Sequence, residues 1–108
     1  MSRVFRRFAA WNDLVEHYMY LAENAGTIIA DRFQVDAEAS IADLAADPTM
    51  GAALTLRLPD LEGLRMRRVK DFEHFLIFYL PHGDGATIVR ILHASQDWWR
   101  VLGVEPVP

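Results

Sequence analysis

The sequence predicts an α+β domain of two layers, in which a helical hairpin packs on a small antiparallel sheet in the order β-α-α-β-β-β. Two long segments of the first half repeat their apolar residues every three to four positions, as amphipathic helices do. Three segments of the second half are rich in β-prone residues and are separated by turn signals, as hairpin-connected strands are. At 108 residues the chain has room for a single domain, residues 1–108, with one hydrophobic core.

The composition restricts the class of protein. The chain is 52% hydrophobic and 24% charged, which is ordinary for a soluble globular protein and far from the composition of a disordered one. The longest apolar run, Phe75 to Leu80, is much shorter than the roughly 20 residues that span a bilayer. Arg6 and Arg7 interrupt the N-terminal stretch in which a signal peptide would lie, and the absence of cysteine excludes disulfides and thiolate metal sites. We therefore expect a cytoplasmic protein without a membrane segment.

A short strand and a long helix are predicted first. Arg3 to Phe8 alternates weakly between apolar and basic residues, which favours a strand. From Trp11 to Ala25 the apolar residues have helical spacing, and Gly26 supplies a stop. His17 falls on the polar side of this helix. The residues that share the apolar face are Trp11, Leu14, Val15, Tyr18, Met19, Ala22 and Ala25.

A second helix is predicted from about Thr27 to Ala46. Thr27 is the candidate N-cap, and Pro48 ends the helix because proline disfavours helical geometry in the residue before it. A turn this short between two amphipathic helices predicts an antiparallel hairpin whose apolar stripe has to be covered. The shared apolar face is Ile29, Phe33, Ala37, Ile41 and Leu44.

The second half is predicted to form the rest of the sheet. Its strands are Arg65–Val69, His74–Leu80 and Ala86–His93, and the apolar stretch Phe75–Tyr79 indicates a central strand buried on both faces. Two segments stay ambiguous at this stage. Leu54–Leu58 fits either an extra edge strand or an exposed connection, and Gln96–Leu102 fits either a short helix or a strand. Gly103–Pro108 is predicted to be a loose tail.

Charge is distributed unevenly, although the net charge is only -4. Between Phe8 and Leu56 the one basic residue is Arg32, whereas the ends of the chain are rich in arginine. This asymmetry indicates a polarised surface that meets charged partners on one side. The acids of the central stretch are Asp13, Glu16, Glu23, Asp31, Asp36, Glu38, Asp43 and Asp47.

Several strings, taken in order, resemble the RelE/ParE toxin superfamily and most closely its ParE or plasmid-stabilisation branch. Residues 44–51 (LAADPTMG) resemble the family's helix end followed by proline and Met-Gly. Residues 61–65 (LEGLR) resemble its entry into the second strand, and residues 69–72 (VKDF) with 76–79 (LIFY) resemble its central hairpin. Residues 90–93 (RILH), followed by an aspartate, resemble its last strand and turn. The resemblance covers almost the whole chain and rests on the order and spacing of these short strings.

The resemblance implies the toxin half of a type II toxin–antitoxin pair. A ParD-like antitoxin would neutralise it in a hetero-oligomer, by covering apolar surface over the helical hairpin and strand edges, and the toxin would touch DNA only through that antitoxin. The ParE branch also implies DNA gyrase as the target and growth arrest as the result. This sequence departs from the family at Gln96, where a basic residue is common, and at Phe75, where a tyrosine is common.

The RelE branch implies the alternative, a ribosome-dependent endoribonuclease of messenger RNA. Its candidate catalytic residues here are Arg65, Arg90 and His93, because cleavage needs proton transfer and cationic groups for the phosphate. Residues 101–103 (VLG) stand where such enzymes place an acid or base, and an acidic chain is poorly suited to ribosomal RNA. These points favour a protein-binding toxin without enzymatic chemistry.

The C-terminal pair Trp98 and Trp99 is the most distinctive string. Neighbouring residues of a helix point about 100° apart, so either one indole closes the core while the other lies at the surface, or both cap opposite edges of the sheet. Trp and Arg frequently anchor protein interfaces. The histidines lack metal-ligand spacing, and we expect neither a metal nor a cofactor. The predicted target-contact residues are Arg65, Arg67, Arg90, His93, Trp98, Trp99 and Arg100.

Overall fold

The computed structural model describes residues 3–54 and 59–103. The order of the long elements follows the prediction, with one additional two-residue strand. A 3-10 turn, Pro59–Leu61, precedes the third strand. The helices and strands are β1 (Val4–Arg6), α1 (Phe8–Ala25), α2 (Thr27–Ala46), β2 (Ala52–Ala53), β3 (Arg65–Val69), β4 (Phe72–His82), β5 (Gly85–His93) and α3 (Trp98–Leu102).

The strands of the described residues form one sheet in the order β1-β5-β4-β3-β2. β4 lies at its centre and is buried from Phe75 to Tyr79, which confirms the prediction of a central strand. The sheet is mixed, because β1 pairs with β5 in parallel while the other pairs are antiparallel. The sequence pattern did not predict this parallel pair. No tight turn joins β1 to β5, so no hairpin imposes the antiparallel direction.

Each face of the sheet has its own apolar cluster. The cluster between the sheet and the hairpin is larger and includes Phe33, Leu44, Ile77, Tyr79 and Ile88. On the opposite face a smaller cluster, the second cluster, is closed by α3 and the loop before β3. Its buried members are Leu64, Leu76, Phe78, Val89, Leu92 and Leu102.

Helix α1 uses a different face for the core than its apolar pattern indicated. It begins at Phe8, three residues before the predicted start, and buries Ala10, Asp13 and Leu14. The prediction that His17 belongs to the polar side is wrong, since its Nε2 lies 2.7 Å from the carbonyl oxygen of Ile91. The apolar arc of α1 is broader than its contact with the sheet and α2, so part of that arc stays in solvent.

The hairpin turn depends on Gly26. This residue has φ +94° and ψ 160°, a conformation open essentially only to glycine. Gly26, not Thr27, occupies the N-cap position of α2, so the predicted threonine cap is wrong. The predicted apolar face of α2 is confirmed, because Phe33, Ala37, Ile41 and Leu44 are buried.

The structure decides one of the two segments that the sequence left ambiguous and part of the other. Gln96–Leu102 contains a short helix, α3, and not a strand. The edge of the sheet is formed by Ala52–Ala53, before the predicted run Leu54–Leu58. Residues 55–58 of that run, and residues 104–108 of the predicted tail, lie outside the described residues.

Candidate interaction surfaces

Two arginines of β3, Arg65 and Arg67, hold the sheet to the end of the helical hairpin and the residues after it. Arg65 donates from Nε to the carbonyl oxygen of Gly51 and from Nη2 to that of Thr49, both at 3.0 Å. Arg67 donates from Nη1 to the Ser40 carbonyl at 2.8 Å and to Asp43 Oδ2 at 2.9 Å. Both guanidinium groups are therefore engaged within the domain.

Arg90 forms the most deeply placed ion pair. Its Nε and Nη2 donate to the two carboxylate oxygens of Asp13 at 2.7 and 2.8 Å, and the backbone N–H of Ile91 donates to the same carboxylate at 2.9 Å. The Asp13 side chain is 5% exposed. Hydrogen bonding to Asp13 raises the pKa of Arg90, against an opposing effect of burial. This pair clamps α1 to β5.

His93 lies at the margin of the sheet in a hydrogen-bonded turn. Its Nδ1 accepts the backbone N–H of Ser95 at 3.0 Å, so the neutral ring carries its proton on Nε2. Burial lowers the pKa of His93, and the nearby rings of His74 and His17 lower it further. The ring packs edge-on against Phe75 with centroids 4.9 Å apart. These contacts favour an uncharged imidazole.

An open cleft of about 490 Å³ adjoins His93. Arg65 and Arg90 do not line it. Arg65 pairs with Tyr79 and His93 with Phe75, which separates the two by roughly 13 Å along β4 at about 3.3 Å per residue. The structure does not bring the three catalytic candidates together. The lining residues are Asp71, Phe72, Glu73, His74, Phe75 and His93.

The two tryptophans of α3 differ in environment, which is the first of the two arrangements that the sequence left open. The Trp98 ring packs on Phe78 of the second cluster, with centroids 5.3 Å apart. Trp99 is 37% exposed, and Val101 is 42% exposed. Arg100 extends into solvent, with its side chain 77% exposed and Asp97 3.9 Å away. Away from its core-facing residues Trp98 and Leu102, α3 thus exposes an aromatic ring, a cation and an aliphatic side chain in succession, and we call this its outer side.

A second exposed apolar surface runs along α1. Phe8 is 86% exposed, and Trp11, Val15 and Met19 are each more than half exposed. The Arg6 guanidinium lies 4.5 Å from the Trp11 ring centroid and pairs with Glu38 of α2. A groove of about 240 Å³ follows this row between α1 and α2. Its lining residues are Trp11, Leu14, Val15, Tyr18, Met19 and Gln34.

Sequence reasoning identified the apolar residues of α1 but did not separate the buried from the exposed ones. The sequence did contain a sign of the exposed residues, because the apolar residues of α1 cover a wider part of its circumference than one interface with the sheet requires. Ala10, Leu14 and Leu21 already supply a core-facing stripe, so Trp11, Val15 and Met19 exceed what one interface requires. Exposed apolar surface that follows one helix in this way is typical of an interaction site.

Residues 3–54 and 59–103 contain no group of three or more His, Cys, Asp or Glu side chains arranged to hold a metal ion. None of the helices in these ranges has the length and hydropathy needed to cross a membrane.

A helical hairpin packed on one face of a five-stranded mixed sheet is the architecture of a RelE/ParE-type protein. The sequence model of the ParE toxin of the parDE type II toxin–antitoxin system matches residues 7–98. The chain therefore belongs to the ParE toxin family.

A solved structure supports the same fold. It is described as the chromosomal ParDE TA system from P. aeruginosa, and it is similar to this chain with a TM-score of 0.70 at 20% sequence identity. The match covers 86% of this chain and 96% of the other. At that identity the likeness shows the fold alone. A search of curated proteins finds no match.

Proposed function

We propose that this ParE-family toxin is neutralised by a ParD-like antitoxin and arrests growth by binding DNA gyrase, without enzymatic chemistry of its own. The observation that carries the proposal is that the arginines expected to serve an RNA-cleaving site are engaged within the fold, while two apolar surfaces are free. The chain would act in the cytoplasm and reach DNA only through the antitoxin.

The exposed row on α1 supports an antitoxin partner. Trp11, Val15 and Met19 are exposed along one helix and line a groove, and Phe8 is exposed at the start of the same helix. This is the arrangement that receives an amphipathic helix. Large apolar side chains exposed in this way promote association with other copies unless a partner covers them. An antitoxin held in permanent complex would provide that cover.

The positions of the basic groups weigh against the ribonuclease alternative. Stabilising a cleaved phosphate requires cations directed at one point. Arg65 is bound to two backbone carbonyls and Arg90 to the Asp13 carboxylate, and each would have to abandon these partners to contact RNA. His93 lies at a different part of the sheet, where burial lowers its pKa, and the cleft that it lines also contains the carboxylates of Asp71 and Glu73. Such surroundings repel a phosphate backbone.

The outer side of α3 is the proposed gyrase contact. Trp99 and Arg100 are exposed and consecutive in sequence. The other three arginines of the predicted set, and Trp98, contact their own domain. A Trp–Arg pair can supply both buried area and directional hydrogen bonds at a protein interface. We propose that the remaining predicted residues serve the fold and not target contact, because each of them contacts its own domain; they are Arg65, Arg67, Arg90, His93 and Trp98.

The test is purified protein titrated into a gyrase supercoiling reaction, with a cell-free translation reaction in parallel. Loss of supercoiling with translation intact is expected. The variant Trp99→Ala/Arg100→Ala should lose inhibition while keeping its thermal midpoint. A matched control, Tyr20→Ala/Arg32→Ala, removes another exposed aromatic–arginine pair, on the hairpin, and should inhibit like the parent. Blocked translation with cleaved message would overturn the proposal in favour of a ribonuclease.

A further inference from the structure

The side of α2 that faces away from the sheet carries an uninterrupted strip of exposed residues. Positions 28, 32, 35, 39, 42 and 46 lie within about 40° of one line along the helix, at about 100° per residue. Five of the six side chains are apolar, and Ile28 and Val35 are 77% and 66% exposed. We call this set the α2 outer strip. Its residues are Ile28, Arg32, Val35, Ala39, Ala42 and Ala46.

The α2 outer strip is distinct from the core and from the groove between α1 and α2. Phe33, Ala37 and Ile41 occupy the opposite side of α2 and are buried. The residue that α2 contributes to the groove is Gln34, which lies about 120° around the helix from the centre of the strip. An antitoxin helix seated in the groove therefore leaves the strip exposed, and the strip is available to a different occupant.

The α2 outer strip is complementary to itself in size when two copies run antiparallel. Its N-terminal half carries the larger side chains of Ile28, Arg32 and Val35, whereas its C-terminal half carries alanines alone. In an antiparallel pair the larger half of each helix lies against the alanines of the other, so the two surfaces interlock. In a parallel pair large residues would meet large residues, and gaps would remain between the alanines. Size therefore selects the antiparallel arrangement.

Charge selects the same arrangement and fixes its register. A two-fold axis perpendicular to the helices, placed near the middle of the strip, brings Arg32 of each copy level with Asp43 of the other. Arg32 and Asp43 lie on the same side of the strip, and this axis keeps them on that side across the interface. The Asp43 side chain is 54% exposed although it pairs with Arg67, so it can accept a second cation. The dimer thus gains two intermolecular ion pairs.

Arg32 is the cation that two acidic surfaces need in order to meet. It shares a cleft of about 290 Å³ with Val35 and three carboxylates. Without Arg32, two such surfaces would bring like charges together, which opposes association. Self-association should therefore depend on Arg32. The three carboxylates are those of Asp31, which accepts a hydrogen bond from Tyr18 Oη at 2.6 Å, Asp36 and Asp71.

We infer that the α2 outer strip is the interface of an antiparallel, two-fold symmetric dimer of this chain. The occupant is a second copy, because the strip complements itself in both size and charge. One pair of helices buries less than the roughly 800 Å² per partner of a standard interface, so we expect a weak dimer with a dissociation constant on the order of 10⁻⁴ M. The protein is then monomeric at the low concentrations of a supercoiling reaction, where Arg32 can still serve as a control position.

Engineered cysteines test both the interface and its direction, because the chain has no cysteine of its own. Ala39→Cys lies roughly 5 Å along the helix axis from its symmetry mate and should form a disulfide-linked dimer on mild oxidation. Ile28→Cys and Ala46→Cys should each stay monomeric alone, but a mixture of the two should cross-link. Tyr20→Cys, at an exposed position of α1, is the control and should not cross-link. Self-linked Ile28→Cys would indicate a parallel pair and overturn the inference, as would failure of Ala39→Cys to cross-link.

Sedimentation equilibrium of the purified protein measures the association itself. Val35→Glu should abolish the dimer, and Arg32→Glu should weaken it roughly tenfold by removing two exposed ion pairs. Val15→Glu, the same change at an exposed valine of α1, is the matched control and should leave association unchanged. Thermal midpoints near that of the parent are expected, because all three positions are exposed.

Two results of the sedimentation series would overturn the inference. One is a monomer at every concentration. The other is association that is lost in Val15→Glu and kept in Val35→Glu, which would place the contact on α1. Neither the cross-linking nor the sedimentation contains antitoxin or gyrase, so the inference and the proposed function stand or fail separately.

Discussion

Asp13 and Arg90, separated by 77 residues in sequence, form a two-pronged ion pair that joins helix α1 to strand β5. The pair lies where the β4–β5 register shifts between Phe78 and Tyr79, and Val89 is left without a partner on β4. Asp13 also accepts the N–H of Ile91, immediately after this irregularity. The Asp13 carboxylate thus accepts hydrogen bonds from both the Arg90 side chain and the Ile91 backbone, at the point where β5 departs from regular pairing with β4.

Removing Asp13 should therefore be among the costliest single changes in the domain. Asp13→Ala leaves the Arg90 charge without its partner and the Ile91 N–H without its acceptor, and we expect a loss of about 3–5 kcal/mol in the free energy of unfolding. Urea denaturation of the single and double alanine variants would measure the coupling. Glu23→Ala, which removes an exposed acid near the other end of the same helix, is the control and should change stability by less than about 0.5 kcal/mol. If the losses of unfolding free energy in Asp13→Ala and Arg90→Ala simply add in the double variant, the two residues are not coupled and the clamp is contradicted.

A second long-range contact joins Tyr79 to Gly51. The Tyr79 ring is fully buried and its Oη accepts the Gly51 N–H at 2.8 Å. Tyr79→Phe should cost about 1–3 kcal/mol, because the amide loses its acceptor. Tyr20→Phe removes an exposed hydroxyl and should be neutral in the same thermal unfolding series.

Gly51 itself tolerates no side chain in this arrangement. A Cβ there would lie 2.5 Å from Tyr79 Oη and 2.7 Å from the carbonyl oxygen of Met66. Gly51→Ala should therefore destabilise the domain even in the Tyr79→Phe background, since the backbone oxygen remains. Recovery of full stability in the double variant would show that the Tyr79 hydroxyl alone excludes a side chain at position 51.

The lowered pKa of His93 predicts a dependence of stability on pH. The unfolded chain binds a proton at the ordinary value of 6.5, whereas the folded chain binds it only at a lower pH. The stabilisation that comes from the neutral ring is complete above 6.5 and is lost as the pH falls through the folded-state pKa. His93→Gln should flatten this part of the profile between pH 7 and about 5. If the unfolding free energy of His93→Gln changes with pH as steeply as that of the parent, other groups cause the pH dependence.

Substitution of the two adjacent tryptophans should distinguish a residue that stabilises the fold, Trp98, from one that we assign to target contact, Trp99. Trp98→Ala removes a ring that packs on the second cluster, and we expect a loss of about 2–3 kcal/mol because part of that ring remains in water. Trp99→Ala should cost less than about 1 kcal/mol. Intrinsic fluorescence during denaturation would report both. A large loss of stability in the Trp99 variant would place its ring in the core and remove it from the proposed contact.

Local sequence patterns were sufficient to predict the long helices and the central strand. The helical spacing of Phe33, Ala37, Ile41 and Leu44 identified the buried side of α2, and the apolar stretch Phe75–Tyr79 identified the central strand. Each is a property of a few consecutive residues, so the sequence displays it directly. The order of short family strings, which likewise needs no coordinates, predicted the ParE family that residues 7–98 match.

Only the tertiary structure decided which polar groups serve the fold and which stay free. Arg90 is committed to a carboxylate 77 positions away, and His17 to a carbonyl 74 positions away, whereas Trp99 and Arg100 remain at the surface. The apolar arc of α1 likewise looks continuous in sequence, although only its Leu14 side meets the sheet. The physical reason is that burial is a relation between distant elements. A residue's own chemistry sets what it can bind, but the packing of those elements determines whether that partner is its own chain or another molecule.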